Sequence, residues 1–168
     1  MAWHFTETEV VSQGVDELST VQNYPYGTIK RGYDSTYGAA EFIYLKGVAS
    51  TLAGSWVTYD PGVSGVTALV VANAIGPVAI AMGAHAATTN FGWYMITGKA
   101  ASKAVTASGT VADNGNVYIS ASGIVDDTIV TGDRVWGAKF ASANTTLGFA
   151  DAEIHRPFVT DGVNSGTS

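Results

Sequence analysis

Cysteine is missing from the 168-residue chain. That excludes a disulfide framework, a thiolate nucleophile and a cysteine-ligated zinc site. It agrees with assembly in a reducing cytoplasm. Charge is also scarce: charged residues make up 13% of the chain, against roughly 25% in an ordinary soluble domain. A surface so poor in charge consists of Ser, Thr, Asn and Gly, or of apolar patches that another subunit covers. An associated form is therefore expected. Positive charge is the scarcer sign, with eight Lys and Arg against fourteen Asp and Glu and a formal net charge of −6. Lys30-Arg31 is the only adjacent basic pair. Nucleic-acid binding needs several cations aimed at phosphates, so no nucleic-acid partner is expected.

Long apolar runs are lacking too. The least polar stretch, 66–87, is interrupted by Asn73, Gly76-Pro77, Gly83 and His85, too often for a membrane span. Residues 1–7 carry neither a basic nor an apolar segment, and no signal peptide is expected. Catalytic patterns are absent as well. His4, His85 and His155 are isolated from one another. Glu153 and His155 can share one strand face, but two ligands fall short of the four a structural zinc site uses. Asp126, Asp127 and Asp133 lack the spacing of a calcium loop and read as turn residues. No nucleophile elbow or phosphate loop is present, and no carboxylate pair stands out for glycoside hydrolysis. The chain is expected to be no enzyme and to hold no cofactor or metal.

What is present is β-structure. The segment Tyr37-Gly38-Ala39-Ala40-Glu41-Phe42-Ile43-Tyr44-Leu45-Lys46-Gly47-Val48 holds an aromatic and β-branched run without helical spacing. Further strands are expected at 28–30, 55–59, 68–72, 77–82, 92–97, 117–120, 134–140 and 147–155, with weaker ones at 104–107 and 124–125. Strands 41–46 and 55–59 read as a hairpin. Short strands at this spacing, separated by turn signals, imply a small all-β barrel or sandwich of mostly antiparallel strands. Asn114-Gly115 suits a type I′ turn, Asp60-Pro61-Gly62 is another turn, and Pro77 suits a strand start or edge. Alternation along 134–140 places Arg134, Trp136, Ala138 and Phe140 on one face.

Residues 1–36 read as an extended N-terminal arm, 37–160 as the β-domain and 161–168 as a flexible tail. The arm carries Trp3, Phe5, Tyr24, Tyr26 and Tyr33 among polar residues. These aromatics either dock on another surface or cover the arm's own domain. Trp56, Tyr59, Phe91, Trp93, Tyr94 and Trp136 either form a sugar-stacking platform or fill the core and subunit contacts.

The segment from Tyr37 to Val48, followed by Gly54-Ser55-Trp56-Val57-Thr58-Tyr59, Gly76-Pro77-Val78-Ala79-Ile80-Ala81 and Gly92-Trp93-Tyr94-Met95-Ile96-Thr97-Gly98-Lys99-Ala100, resembles small structural proteins of tailed bacteriophages. The resemblance spans roughly residues 20–160. It implies a capsid decoration, or cement, protein: a virion component on the capsid exterior, made in the host bacterial cytoplasm. Its expected partners are the major capsid protein and itself, as a homotrimer, with no membrane involved. On that reading Trp3, Phe5, Tyr24, Tyr26, Tyr33 and Tyr37 are the candidate capsid or subunit contacts, with the arm adding a strand to a neighbour. The alternative is a tail- or head-fibre-associated module that binds receptors or glycans through exposed aromatics.

Overall fold

The computed structural model of the chain describes residues 3–6, 13–60, 62, 64–104, 110–144 and 148–161, the side chains of 101–104 excepted. Eleven strands are present: β1 (His4–Phe5), β2 (Ile29–Asp34), β3 (Gly38–Lys46), β4 (Trp56–Tyr59), β5 (Thr67–Leu69), β6 (Gly76–Ala81), β7 (Phe91–Ala104), β8 (Asn116–Ala121), β9 (Ile124–Asp126), β10 (Arg134–Phe140) and β11 (Gly148–Val159). They form one sheet in the order β1-β2-β3-β7-β9-β8-β10-β11-β6-β4-β5, with further pairings of β7 to β11 and β6. The chain is all-β, as the sequence implies, with no helix among the described residues. The sheet is not closed into a barrel.

β7 is the hub. Its first half lies between β3 and β6, and its second half pairs with β11 from Gly98↔Ile154 to Ala104↔Gly148. Strands in this position are covered on both faces, so they read as unbroken apolar runs without alternation. Phe42, Tyr44, Ile80, Trp93 and Met95 point into the larger core. Their neighbours Ile43, Leu45, Ala79, Ala81, Tyr94 and Ile96 point into a second, smaller one. A bridge from Lys46 to Val66 brings the start of β5 back to the end of β3. β3, β7, β6, β4 and β5 thereby wrap the smaller core.

Three local expectations are corrected. β3 and β4 do not form a hairpin: β3 pairs with β2 and β7, and β4 with β5 and β6. A local turn signal at Gly47 does not outweigh an apolar strand's gain from partners on both sides. The even alternation along 134–140 is broken at Gly137, so Val135 and Phe140 are both buried while Trp136 and Lys139 are exposed. The Asn114-Gly115 turn closes one residue early. The Gly115 N–H donates to the Ala112 carbonyl at 3.0 Å, and only Asn114 (φ 62°) has positive φ, whereas type I′ needs it at both central residues. Pro77 does sit at the start of a strand. Strand 104–107 beyond Ala104, and the tail beyond Asp161, lie outside the described residues.

The N-terminal segment lies on its own sheet. Phe5 packs edge-on against Trp93 (ring centroids 4.9 Å apart), Trp3 against Phe42 (5.3 Å), and Tyr24 against Tyr44 (5.2 Å) and Trp93 (5.1 Å). Gln13 is buried and pins the segment. Its Nε2 donates to the carbonyls of Glu17 and Phe91, its Oε1 accepts from the Tyr44 hydroxyl and Asn23, and its carbonyl accepts from Trp93 Nε1. Ser19 and Phe91 exchange backbone hydrogen bonds at 3.0 and 2.8 Å. Lys30, also buried, stands 5.2 Å from the Tyr24 ring centre, a cation–π distance.

Candidate functional site

The outward face of β2, β3, β7, β11 and β10 collects charge in a chain that has little. Arg31, Lys99, Lys139 and Arg156 meet Glu41, Asp151 and Glu153 there in four ion pairs. Strand register creates the centre of this face. Glu41 lies opposite Thr97 and Phe42 opposite Met95, which leaves Ile96 as an extra residue in β7. Thr97 is flanked on its other side by His155 of β11. A second irregularity follows in β11. Between the pairs Trp136↔Phe158 and Ala138↔Ile154, β10 has Gly137 and β11 has His155, Arg156 and Pro157.

Backbone conformation at this second bulge is unusual. Arg156 has φ 46° and Gly137 φ 72°. A Cβ at Gly137 would lie 2.7 Å from the His155 carbonyl oxygen, so only glycine fits. Bulges of this kind re-aim side chains and cluster at functional sites, and positive φ outside glycine, Asn and Asp is uncommon. Here the effect is concrete: the consecutive residues His155 and Arg156 are both exposed. Arg156 Nη2 reaches across to Glu41 Oε2 at 2.5 Å, while Arg31 Nε approaches Glu41 Oε1 at 3.4 Å.

Around this point lies a cavity of about 430 Å³, lined by Thr6, Arg31, Gly32, Tyr33, Ala39, Ala40, Glu41, Thr97 and His155. Thr97 Oγ1 is buried without a hydrogen-bond partner among the described residues. No group of three or more metal-ligating side chains occurs among them either. Asp126, Asp127 and Asp133 each accept a backbone N–H in a loop, from Thr128, Ala112 and Asn73.

Of the six candidate contact aromatics, Trp3, Phe5, Tyr24, Tyr26 and Tyr37 all make ring contacts within their own chain. Tyr33 is half exposed and faces the cavity. Burial and the Asp151 carboxylate beside it push the Tyr37 hydroxyl up from its ordinary pKa. The sugar-stacking platform is not assembled: Trp56, Trp93 and Tyr94 are fully buried, and Trp136 is exposed with the Arg134 guanidinium 4.2 Å from its ring centre. Sequence singled out Tyr33 as a candidate contact, His155 as a possible ligand and Arg31 as half of a basic pair, but it grouped none of the cavity residues with one another. Their association depends on register shifts that no local pattern encodes.

His85 is buried elsewhere, against Tyr94 and between Gly47 and Gly92, with both ring nitrogens unpartnered among the described residues. Burial lowers its pKa from 6.5 to about 4. Below pH 6.5 the unfolded chain takes up the proton before the folded one does. Stability is therefore expected to fall as pH drops from 6.5 to about 4 and then to level off, by up to about 3 kcal/mol from this residue. Urea titrations across that window check it. The variant His85→Phe should show a flatter dependence.

No family model, curated protein or solved structure matches the chain.

Proposed function

We propose that the chain is a bacteriophage virion structural protein that binds the outer capsid surface and stabilises the shell, acting as a homotrimer on the major capsid protein. The observation that carries this reading is an apolar patch at one end of the sheet. Val71 and Ile75, in the loop between β5 and β6, are 50% and 70% exposed; Ile129 and Val130, in the loop between β9 and β10, are 78% and 39% exposed. The Asn73 N–H donates to Asp133 Oδ1 at 2.7 Å and ties the two loops together. Ile75 leads into Gly76 and Pro77, which pair with Val159 and Phe158, and Phe158 pairs in turn with Trp136. Phe158 and Trp136 are themselves half exposed. Apolar side chains exposed to this extent on two linked loops mark an interaction surface. They suit a protein that repeats one modest contact over a shell.

The patch replaces the arm as the capsid contact, because most of the arm's aromatics serve its own core. The double variant Ile75→Ser, Ile129→Ser is expected to fold as the parent does, since both side chains are exposed. Its occupancy on shells assembled from the same genome without this chain should fall about tenfold or more, the equivalent of 1.4 kcal/mol. Unchanged occupancy would remove the patch from the contact.

A further inference from the structure

We propose that the cavity beside Thr97 is a binding site for an acidic monosaccharide unit, a sugar ring bearing a carboxylate. The inference stands apart from capsid binding and uses a different face of the molecule. At about 430 Å³ the cavity falls within the usual range for small-molecule sites, roughly 300–1,000 Å³. Its walls come from β2, β3, β7 and β11, and the two bulges fix their relative positions. The site is thus formed before a ligand arrives.

Charge selects the ligand's sign. Among the described residues, Arg31 and Arg156 oppose the single carboxylate of Glu41, a local excess of one positive charge on a chain of net charge −6. Arg156 holds Glu41 in place. Arg31, with a side chain 76% exposed, gives Glu41 only its Nε. Among the described residues its two Nη groups have no partner and remain for a second carboxylate, which the planar fork matches bidentately. Polarity selects the rest. Glu41 and His155 offer partners for ring hydroxyls. Tyr33, half exposed on the cavity wall, presents an aromatic face against which a sugar's C–H face packs.

The test is a titration of the full chain with sodium glucuronate, glucose and sodium acetate, followed by amide NMR. Glucuronate is expected to give saturable shifts at residues 31–33, 39–41, 97 and 155, with a midpoint in the millimolar range appropriate to a ligand this small. Glucose and acetate should each bind about tenfold more weakly or worse, and the exposed-residue variants Arg31→Gln and Tyr33→Ala should weaken glucuronate about tenfold. A response to acetate equal to that for glucuronate makes the site a simple anion or acidic-side-chain site and overturns the proposal. So does an equal response to glucose, or the absence of any saturable shift by about 50 mM glucuronate, where binding would be too weak to count as specific.

Discussion

Removing residues 1–36 is expected to unfold the protein. The segment supplies Trp3, Phe5, Val15 and Tyr24 to the larger core, and all of β2, which pairs with β3 over six positions. Burying one such side chain contributes about 1.5–3 kcal/mol, so the four together match most of a domain's net stability of about 5–15 kcal/mol. Deletion also uncovers Phe42, Tyr44 and Trp93 and leaves the β3 edge unpaired. Circular dichroism and a thermal melt of the truncated chain check this, with loss of the cooperative transition expected. A melt within a few degrees of the parent would show that the segment is a dispensable arm after all.

Trp93→Ala is the second large effect. Trp93 is fully buried at the point where Phe5, Tyr24 and Tyr44 converge, each ring within about 5 Å, and its Nε1 donates to the Gln13 carbonyl at 3.3 Å. Truncating a buried Trp costs about 3–5 kcal/mol through lost transfer free energy and the cavity left behind. For a chain of this size that lowers the melting temperature by roughly 6–20 °C. Trp136→Ala is the control. Its side chain is half exposed and, among the described residues, is stacked by Arg134 alone, so a loss of about 1 kcal/mol or less is expected. Equal losses for the two tryptophans would contradict the assignment of core and surface.

Much of the fold was legible because apolar runs and turn residues act locally. Strands at 41–46, 77–82, 117–120 and 134–140 all appear, shifted by a residue or a few at their ends. The course of β7 was less legible. Gly98, at φ 129°, reads as a strand end, yet the strand continues through it to pair with β11. β1 is two residues long and exists only because β2 lies beside it. The hairpin of 41–46 with 55–59 failed because pairing in a large sheet is set by partners distant in sequence.

The same physics hid the candidate site. Glu41 reads only as part of an apolar strand, and His155 as an isolated histidine. Only the register shifts at Ile96 and at Arg156 set Arg31, Glu41, Thr97 and His155 around one cavity. Gln13 gave no signal at all: a lone glutamine in a polar segment became the buried clamp between that segment and the sheet. The arm's aromatics were visible in the sequence, but their packing on Phe42, Tyr44 and Trp93 was not.

The most direct test of the proposed function is a reconstruction of the virion encoded with this chain. The account expects density for the eleven-stranded fold on the outer capsid surface, in threefold groups, with Ile75, Ile129 and Phe158 turned toward the shell and residues 3–34 docked on their own sheet. Its absence from the shell, or its presence only at a tail or head fibre, would contradict the account.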